Sequence, residues 1–546
     1  MLGRLEIVTE IPFRQLPATT RLFADFLYDF QKVEPFLGRN FRDKRSFSAG
    51  AEKILTGRYA RNQAAGILSE QHRAFSSGPK TFENLKRFER PDSLAVFGGQ
   101  QSGLFGGPVF TLYKAWTVLH LAEWLERELG RPVIPFFWMA GDDHDFAEVN
   151  HTFVMDKNNR LVKLEYLPSN PPQGLSMGRV RFDESIGAVL KQWVDAFNPS
   201  DFKDEVFAKL SSAYAAGHTF PEAFASWMNA LLGDSGLIWV NPNDIGLKGL
   251  AADFFASELG LNGTSQAHVA TVNERLRASN YHVQVHKTEK LLNLFYQAEQ
   301  RQPLHKSNGG FATESGKRFS VSELQEKIRR SPGNFSPNVL LRPVLQSYLF
   351  PVVAVVLGPS EVAYFAQTGP LFELHKLPFP VVYPRRSVTL LESRAMKILE
   401  KHNLSVLDFV GDPEALLGRL IRETEGKELE TKTVFVRQSV KEAMEALKRE
   451  LAGLDPTLEK TAEQVKAKFD LEIQNLEKKG VAAAKKKNEV LREQIFRTKE
   501  LLFPERVLQE RIFNATYFLV KYGFDVLPRI KSQINFENFD HQVIAL

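Results

Sequence analysis

Five short runs of apolar residues, 94–97, 133–140, 237–240, 352–357 and 381–383, punctuate the chain, each followed by polar residues, glycine or proline. Continuous apolar runs are what strands buried on both faces show, so the pattern predicts a parallel sheet. Between the first two runs, Val109, Leu112, Tyr113, Trp116, Leu119 and Trp124 recur at helical spacing. Pro108 suits the first helical position, Gly107 its cap and Gly130 its end, so residues 94–140 read as strand, helix and parallel strand. Thr219 and Glu222, flanking Pro221, predict a capped helix ahead of the third strand. Strands alternating with helices make the fold class α/β, with a Rossmann-like doubly wound core.

Two stretches interrupt the alternation. Residues of about 150–200 and 265–335 mix short strand-like pieces with loops such as SNGG and SPGNFSP, and read as two inserted connecting segments that shape a pocket. From about Thr433 the chain turns rich in Lys, Glu, Ala and Leu, with Leu447, Leu451, Leu454 and Leu458, then Ala462, Val465 and Phe469, then Ile473 and Leu476, at heptad spacing. Gly453, Asp455 and Pro456 mark a turn, so a helix over residues 433–452 folds back on one over 456–501, which Gly480 weakens. The Lys485, Lys486 and Lys487 run reads as a solvated helix face. The expected domains are a catalytic core over residues 1–392, a helical coiled coil over 393–502, and a C-terminal segment, 503–546, packing back on the core.

Composition narrows the function classes. Lys and Arg exceed Asp and Glu by 70 to 65, too small an excess for a nucleic-acid footprint. Cys is absent, which excludes disulfides, thiolate metal sites and a cysteine nucleophile, and leaves any thiol chemistry to a substrate. The start lacks a signal-peptide pattern, and the longest apolar stretch, 349–357, contains Pro351 and falls far short of the ~20 residues that cross a bilayer. A cytoplasmic enzyme without a membrane partner is expected.

Candidate chemistry sits at strand ends. The linker GGQQSGLFGGP offers Gly99, Gln100, Gln101, Ser102, Gly103, Gly106 and Gly107 to a phosphate or carboxylate through backbone amides and a helix N-terminus. It is no G-x-G-x-x-G, no P-loop and no nucleophile elbow, which disfavours a dehydrogenase, a P-loop NTPase and an α/β-hydrolase. After the second strand comes GDDHDFAEVNH. Asp143, His144 and Asp145 could orient and deprotonate an amine, with Asn150 and His151 nearby. In a helix, His144, Glu148 and His151 would share one face, the basis of an alternative reading as a metal-dependent hydrolase, although no metal is predicted. Ser360 is well placed to cap the helix after the fourth strand, with Glu361 and Tyr364 facing the same pocket. Arg385, Arg386 and Ser387 follow the fifth strand and could bind phosphate.

The blocks GGQQSGLFGGPVFTLYK, PFFWMAGDDHDFAEVNH, FSPNVLLRP, GPSEVAYF, PRRSVTLLE, LDPTLEK and LQERIFN make the chain resemble the bacillithiol biosynthesis cysteine-adding enzymes, a cysteine ligase family. The resemblance implies a Rossmann-like core with two connecting insertions and a coiled coil that forms a homodimer. It implies a reaction joining the carboxyl group of cysteine to the amino group of glucosaminyl malate, the last step to bacillithiol. Activating a free carboxylate calls for a nucleotide, ATP or ADP, with the Gly103 to Gly107 amides holding an anion and Lys114 too far along its helix for a direct role. Arg385, Arg386, Ser387, Gln509 and Arg511 would form a second nucleotide site. The non-enzymatic rival is a nucleotide-binding coiled-coil scaffold.

Overall fold

A computed structural model describes residues 5–286, 291–423 and 427–546. The chain divides into two compact units, Met1–Leu390 with Glu510–Leu546, and Leu391–Gln509. The expected divisions at 392/393 and 502/503 thus stand beside observed ones at 390/391 and 509/510.

All five apolar runs form strands of one sheet: β1 (Leu94–Gln100), β2 (Val133–Met139), β3 (Ile238–Val240), β4 (Val352–Leu357) and β5 (Val381–Pro384). Their order is β5-β4-β1-β2-β3, and every pairing is parallel. Aromatic rings fill the space over the sheet: Phe97 stacks on Phe136 with centroids 4.9 Å apart, Phe350 packs against both, and Phe88 packs against Phe136 and Phe350. The Phe110–Leu129 helix crosses so closely that a Cβ on Gly98 would lie 2.7 Å from Val118 Cγ2, which is why β1 carries glycine there. The Thr219 capping box forms as expected.

Both interruptions build structure of their own. His151–Met155 and Leu161–Glu165 pair as an antiparallel hairpin. The second insertion becomes a five-stranded antiparallel sheet that includes Leu291–Gln297, Arg301–Ser307 and Phe335–Pro337. Sequence patterning missed the N-terminal region: strand Ile7–Ile11 pairs with His541–Ala545, and five α-helices lie between Arg21 and Phe88. Those helices carry short amphipathic faces with few caps, a weak signal beside the sheet strands.

In the second unit, Lys427–Leu454 and Leu458–Lys487 form the helical hairpin. The continuous second helix expected to 501 is interrupted instead: Asn488, with φ −99° and ψ 39°, separates it from Glu489–Leu502, whereas Gly480 is accommodated inside the helix. The side chains of the Lys485 to Lys487 run lie outside the described residues. Lys448 pairs with Glu463 at 2.8 Å and Lys466 with Glu445 at 2.9 Å across the hairpin, while Ala462 and Ile473 are buried. Leu447, Leu454, Val465, Phe469 and Leu476 of the heptad pattern stay exposed on this single chain. No helix of the described residues is long and apolar enough to cross a membrane.

Candidate active site

Adjacent strands of an open parallel sheet lead their connections to opposite faces where the order reverses, and a crevice opens beyond their C-terminal ends. Here β1 and β4 are neighbours at that point, and a cavity of about 680 Å³ lies beyond β1, β2 and β4.

Lys114 joins the two strand ends. It stands in the helix after β1, is almost fully buried, and its Nζ donates to Gly99 O at 2.7 Å, Gln100 Oε1 at 3.0 Å and Glu361 Oε2 at 2.6 Å. Burial pushes the Lys114 ammonium below its usual pKa, and Glu361 opposes that shift. Glu361 also accepts from Gly358 N at 2.7 Å, so Gly358 is the N-cap of the helix after β4. Ser360, expected as that cap, instead sits in the first turn, exposed, on the cavity wall.

The acidic wall follows β2. Asp142 is buried against Lys248, Oδ1 to Nζ at 2.7 Å, while its Oδ2 has no partner among the described residues. Asp143 Oδ1 accepts from its own loop, His144 N at 2.7 Å, which turns Oδ2 toward Gln101. Gln101 Nε2 bridges Asp143 Oδ2 at 3.0 Å and Glu148 Oε2 at 2.6 Å. Asp145 caps the Phe146–Val149 turn by accepting from Glu148 N at 3.3 Å, and is not among the cavity-lining residues.

The basic wall comes from the second insertion and the helix behind it. Arg301 lies 3.6 Å over the Phe295 ring, donates to Ser336 Oγ and Pro337 O, and reaches His144 Nδ1 at 3.2 Å. A guanidinium only donates, so the neutral His144 ring carries its proton on Nε2. Burial lowers the Arg301 pKa, while Asp142 and Asp143 raise it. Arg342 Nη2 donates to Tyr364 Oη at 2.6 Å, and burial raises the Tyr364 phenol above its usual pKa. Asn338 completes this wall with its Oδ1 held by Leu340 N and Leu341 N.

The cavity therefore gathers Gly99, Gln100, Gln101, Asp143, His144, Ser360, Glu361 and Tyr364 of the expected residues. Others are directed elsewhere. Ser102 is buried, and the amides of Gly103, Gly106 and Gly107 bond to Gln101 O, Gly103 O and Leu104 O, with Tyr214 Oη also on Gly106 N. Those three amides are thus engaged within the protein rather than turned to the cavity. Asn150 donates to Tyr166 O inside the inserted hairpin, and His151 opens its first strand. The helix at Phe146–Val149 is a single turn, so His144, Glu148 and His151 do not share a helical face. Among the described residues no three His, Asp or Glu side chains stand together as a metal site.

Arg385 forks onto Glu510 at 2.7 and 3.1 Å, and Ser387 Oγ lies 2.9 Å from Glu510 and 2.7 Å from His541 Nδ1, all buried. Arg386 is buried between the Tyr383 hydroxyl and the carbonyls of Pro384 and Phe536. Gln509 donates to Leu501 O, and Arg511 is exposed. The guanidinium of Arg385 is thus already matched by a carboxylate, and a phosphate there would displace it.

Sequence reading missed Lys248, Arg301, Arg342 and Asn338 and set Lys114 aside. Arg342 and Asn338 lie in FSPNVLLRP, a block that already stood out; Lys248 and Arg301 carry no local pattern, because only the chain's return from distant segments brings them to β2.

The family described as the bacillithiol biosynthesis BshC N-terminal Rossmann-like domain matches residues 8–386, and the BshC C-terminal coiled-coil domain matches 388–546. A protein of Salinibacter ruber named "Putative cysteine ligase BshC" is 33% identical over 540 residues, covering 98% of each chain. Proteins of the same name from Solibacter usitatus and Geobacillus thermodenitrificans are 31% and 30% identical, covering 97% and 99% of this chain and 98% and 100% of their own. With both domains matched in order along nearly its whole length, the chain belongs to the bacillithiol biosynthesis BshC family and is an enzyme of the ligase class.

Proposed function

We propose that the protein forms the amide bond between the carboxyl group of cysteine and the amino group of glucosaminyl malate, giving bacillithiol, with nucleotide-dependent activation of the carboxyl. One observation carries the reading: a single cavity gathers Asp143 and Glu148 together with Arg301 and Arg342. Neither arginine is paired with a carboxylate among the described residues, whereas Lys114 and Lys248 both are. Amines belong on the first wall, and malate carboxylates or a phosphate on the second.

The acceptor amine attacks only when neutral, so its proton needs a base. Asp143 Oδ2, at the cavity wall, is the acceptor for that proton. His144, with Nδ1 engaged by Arg301, offers Nε2–H to the carboxyl oxygen on which charge develops. Asp145 acts one step back, through the cap that holds Glu148. ATP or ADP, when bound, supplies carboxylate activation, and Arg301 and Arg342 are the side chains suited to its phosphate. The exposed heptad residues of the hairpin favour a homodimer through that element.

Mass spectrometry of a reaction with ATP, cysteine and glucosaminyl malate tests the assignment. A cysteine-dependent product of bacillithiol mass is expected, with ADP or AMP naming the bond cleaved. Folded protein that yields no such product, with each component varied in turn, overturns it.

A further inference from the structure

Gln100 and Gln101 leave the end of β1 side by side, and both line the cavity. Chemistry fixes how each amide is turned. Lys114 Nζ has only hydrogens to give and lies 3.0 Å from Gln100 Oε1, so Gln100 points its NH2 group away from the lysine. Ionised Asp143 and Glu148 have only lone pairs to give, and Gln101 Nε2 lies 3.0 and 2.6 Å from them. Both amide hydrogens of Gln101 are therefore committed, and its Oε1 is left over. Consecutive residues thus present opposite functions, a free NH2 donor at Gln100 and a free carbonyl acceptor at Gln101. Neither group has a protein partner among the described residues.

The charge around the pair divides the same way. Beside Gln101, Glu148 pairs with no cation among the described residues, whereas the charge of the buried Asp142 is matched by Lys248 at 2.7 Å. Beside Gln100, the Lys114 charge is matched by Glu361 at 2.6 Å. The Gln101 side thus holds one carboxylate, Glu148, that no cation matches among the described residues, and the Gln100 side is balanced with a donor to spare.

An α-amino acid carries an ammonium and a carboxyl group on one carbon, complementary to these two sides. We infer that Gln100 and Gln101 form the subsite for the acyl-donating α-amino acid, with Gln101 Oε1 and Glu148 receiving its ammonium and Gln100 Nε2 donating to a carboxyl oxygen. The identity of that amino acid rests on the ligase reading above; the subsite itself rests on the two amides. Glu148 keeps the donor's ammonium protonated and out of the reaction, which separates it from the acceptor amine at Asp143. Neither glutamine reads the thiol, so side-chain selection falls to other residues.

Calorimetric titrations of the full-length protein, premixed with glucosaminyl malate, test this with L-cysteine, 3-mercaptopropionate, which lacks the ammonium, and cysteamine, which lacks the carboxyl. Wild-type protein should bind cysteine at least roughly tenfold more tightly than either analogue, a comparison that needs no variant. Gln101→Met should weaken cysteine by about tenfold and leave 3-mercaptopropionate unchanged; Gln100→Met should weaken cysteine and leave cysteamine unchanged. Equal wild-type affinity for all three, or equal losses of cysteine and 3-mercaptopropionate in Gln101→Met, overturns the subsite. The two readings separate cleanly: product without this binding pattern removes the subsite and keeps the ligase reaction, and the pattern without product does the reverse.

Discussion

Two loops leave the ends of neighbouring strands, one rich in glycine after β1 and one rich in ionisable groups after β2, and they use their composition in opposite ways. The glycine loop turns inward: Asn514 Nδ2 donates to Phe105 O at 2.9 Å and Gly107 O at 2.7 Å, and Tyr214 Oη bridges Gly106 N and Gly103 O. Two of its glycines answer a backbone demand, since Gly106 and Gly107 have φ of 86° and 69°. The acidic loop turns outward, bringing Asp143, His144 and Glu148 to the cavity and leaving a buried oxygen of Asp142 without a partner among the described residues. Glycine richness reports the path of a chain, whereas ionisable residues left half-satisfied beside a cavity report a ligand.

The sharpest way to break this contrast is to change the outward loop. Asp143→Asn and His144→Ala should each lower turnover by roughly a hundredfold or more, the usual range for a lost proton-transfer group, with denaturation midpoints nearly unchanged. Turnover within a fewfold of wild type in both variants would reduce the acidic loop to scaffolding.

The inward loop should fail in the other currency. Asn514→Ala strips partners from two buried carbonyls and from Thr516 N, which Asn514 Oδ1 now holds at 2.9 Å. A loss of about 2–4 kcal/mol in urea unfolding is expected, with KM for cysteine little changed. Gly107→Ala should cost less, roughly 1–3 kcal/mol, because the new methyl would make only ordinary van der Waals contacts, the nearest with Thr111 Oγ1 at 3.7 Å, and only the backbone at φ +69° resists. A large rise in KM from Gly107→Ala at unchanged stability would return the loop to the binding machinery.

What the sequence discloses follows the same division. The sheet was legible because five buried strands must each be continuously apolar, a constraint written locally. The carboxylate wall was legible because its residues are contiguous. Arg301 and Arg342 were not, since one comes from an inserted antiparallel sheet and the other from the helix ahead of β4, and a lone arginine in either place looks like any surface cation. Ser360 misled for a simpler reason: serine is a favoured cap, but Glu361 reaches back to Gly358 N and closes the helix without it.

Asp145 offers the smallest and most discriminating change, because it belongs to the outward loop by sequence and to a structural role by position. Its carboxylate accepts from Glu148 N at 3.3 Å, capping a helix of one turn, and its side chain stands in solvent. Losing an exposed cap costs about 1 kcal/mol. That turn orients Glu148, the residue proposed to hold the ammonium of the amino acid. Asp145→Ala should therefore lower stability slightly and raise KM for cysteine severalfold, while kcat falls far less than in His144→Ala. Asp145→Asn, which keeps an acceptor at the cap, should restore KM toward wild type. If kcat instead falls as far as in His144→Ala and Asp145→Asn fails to rescue it, Asp145 acts by its charge on the reacting groups, and the catalytic part of the loop extends one residue beyond the cavity wall.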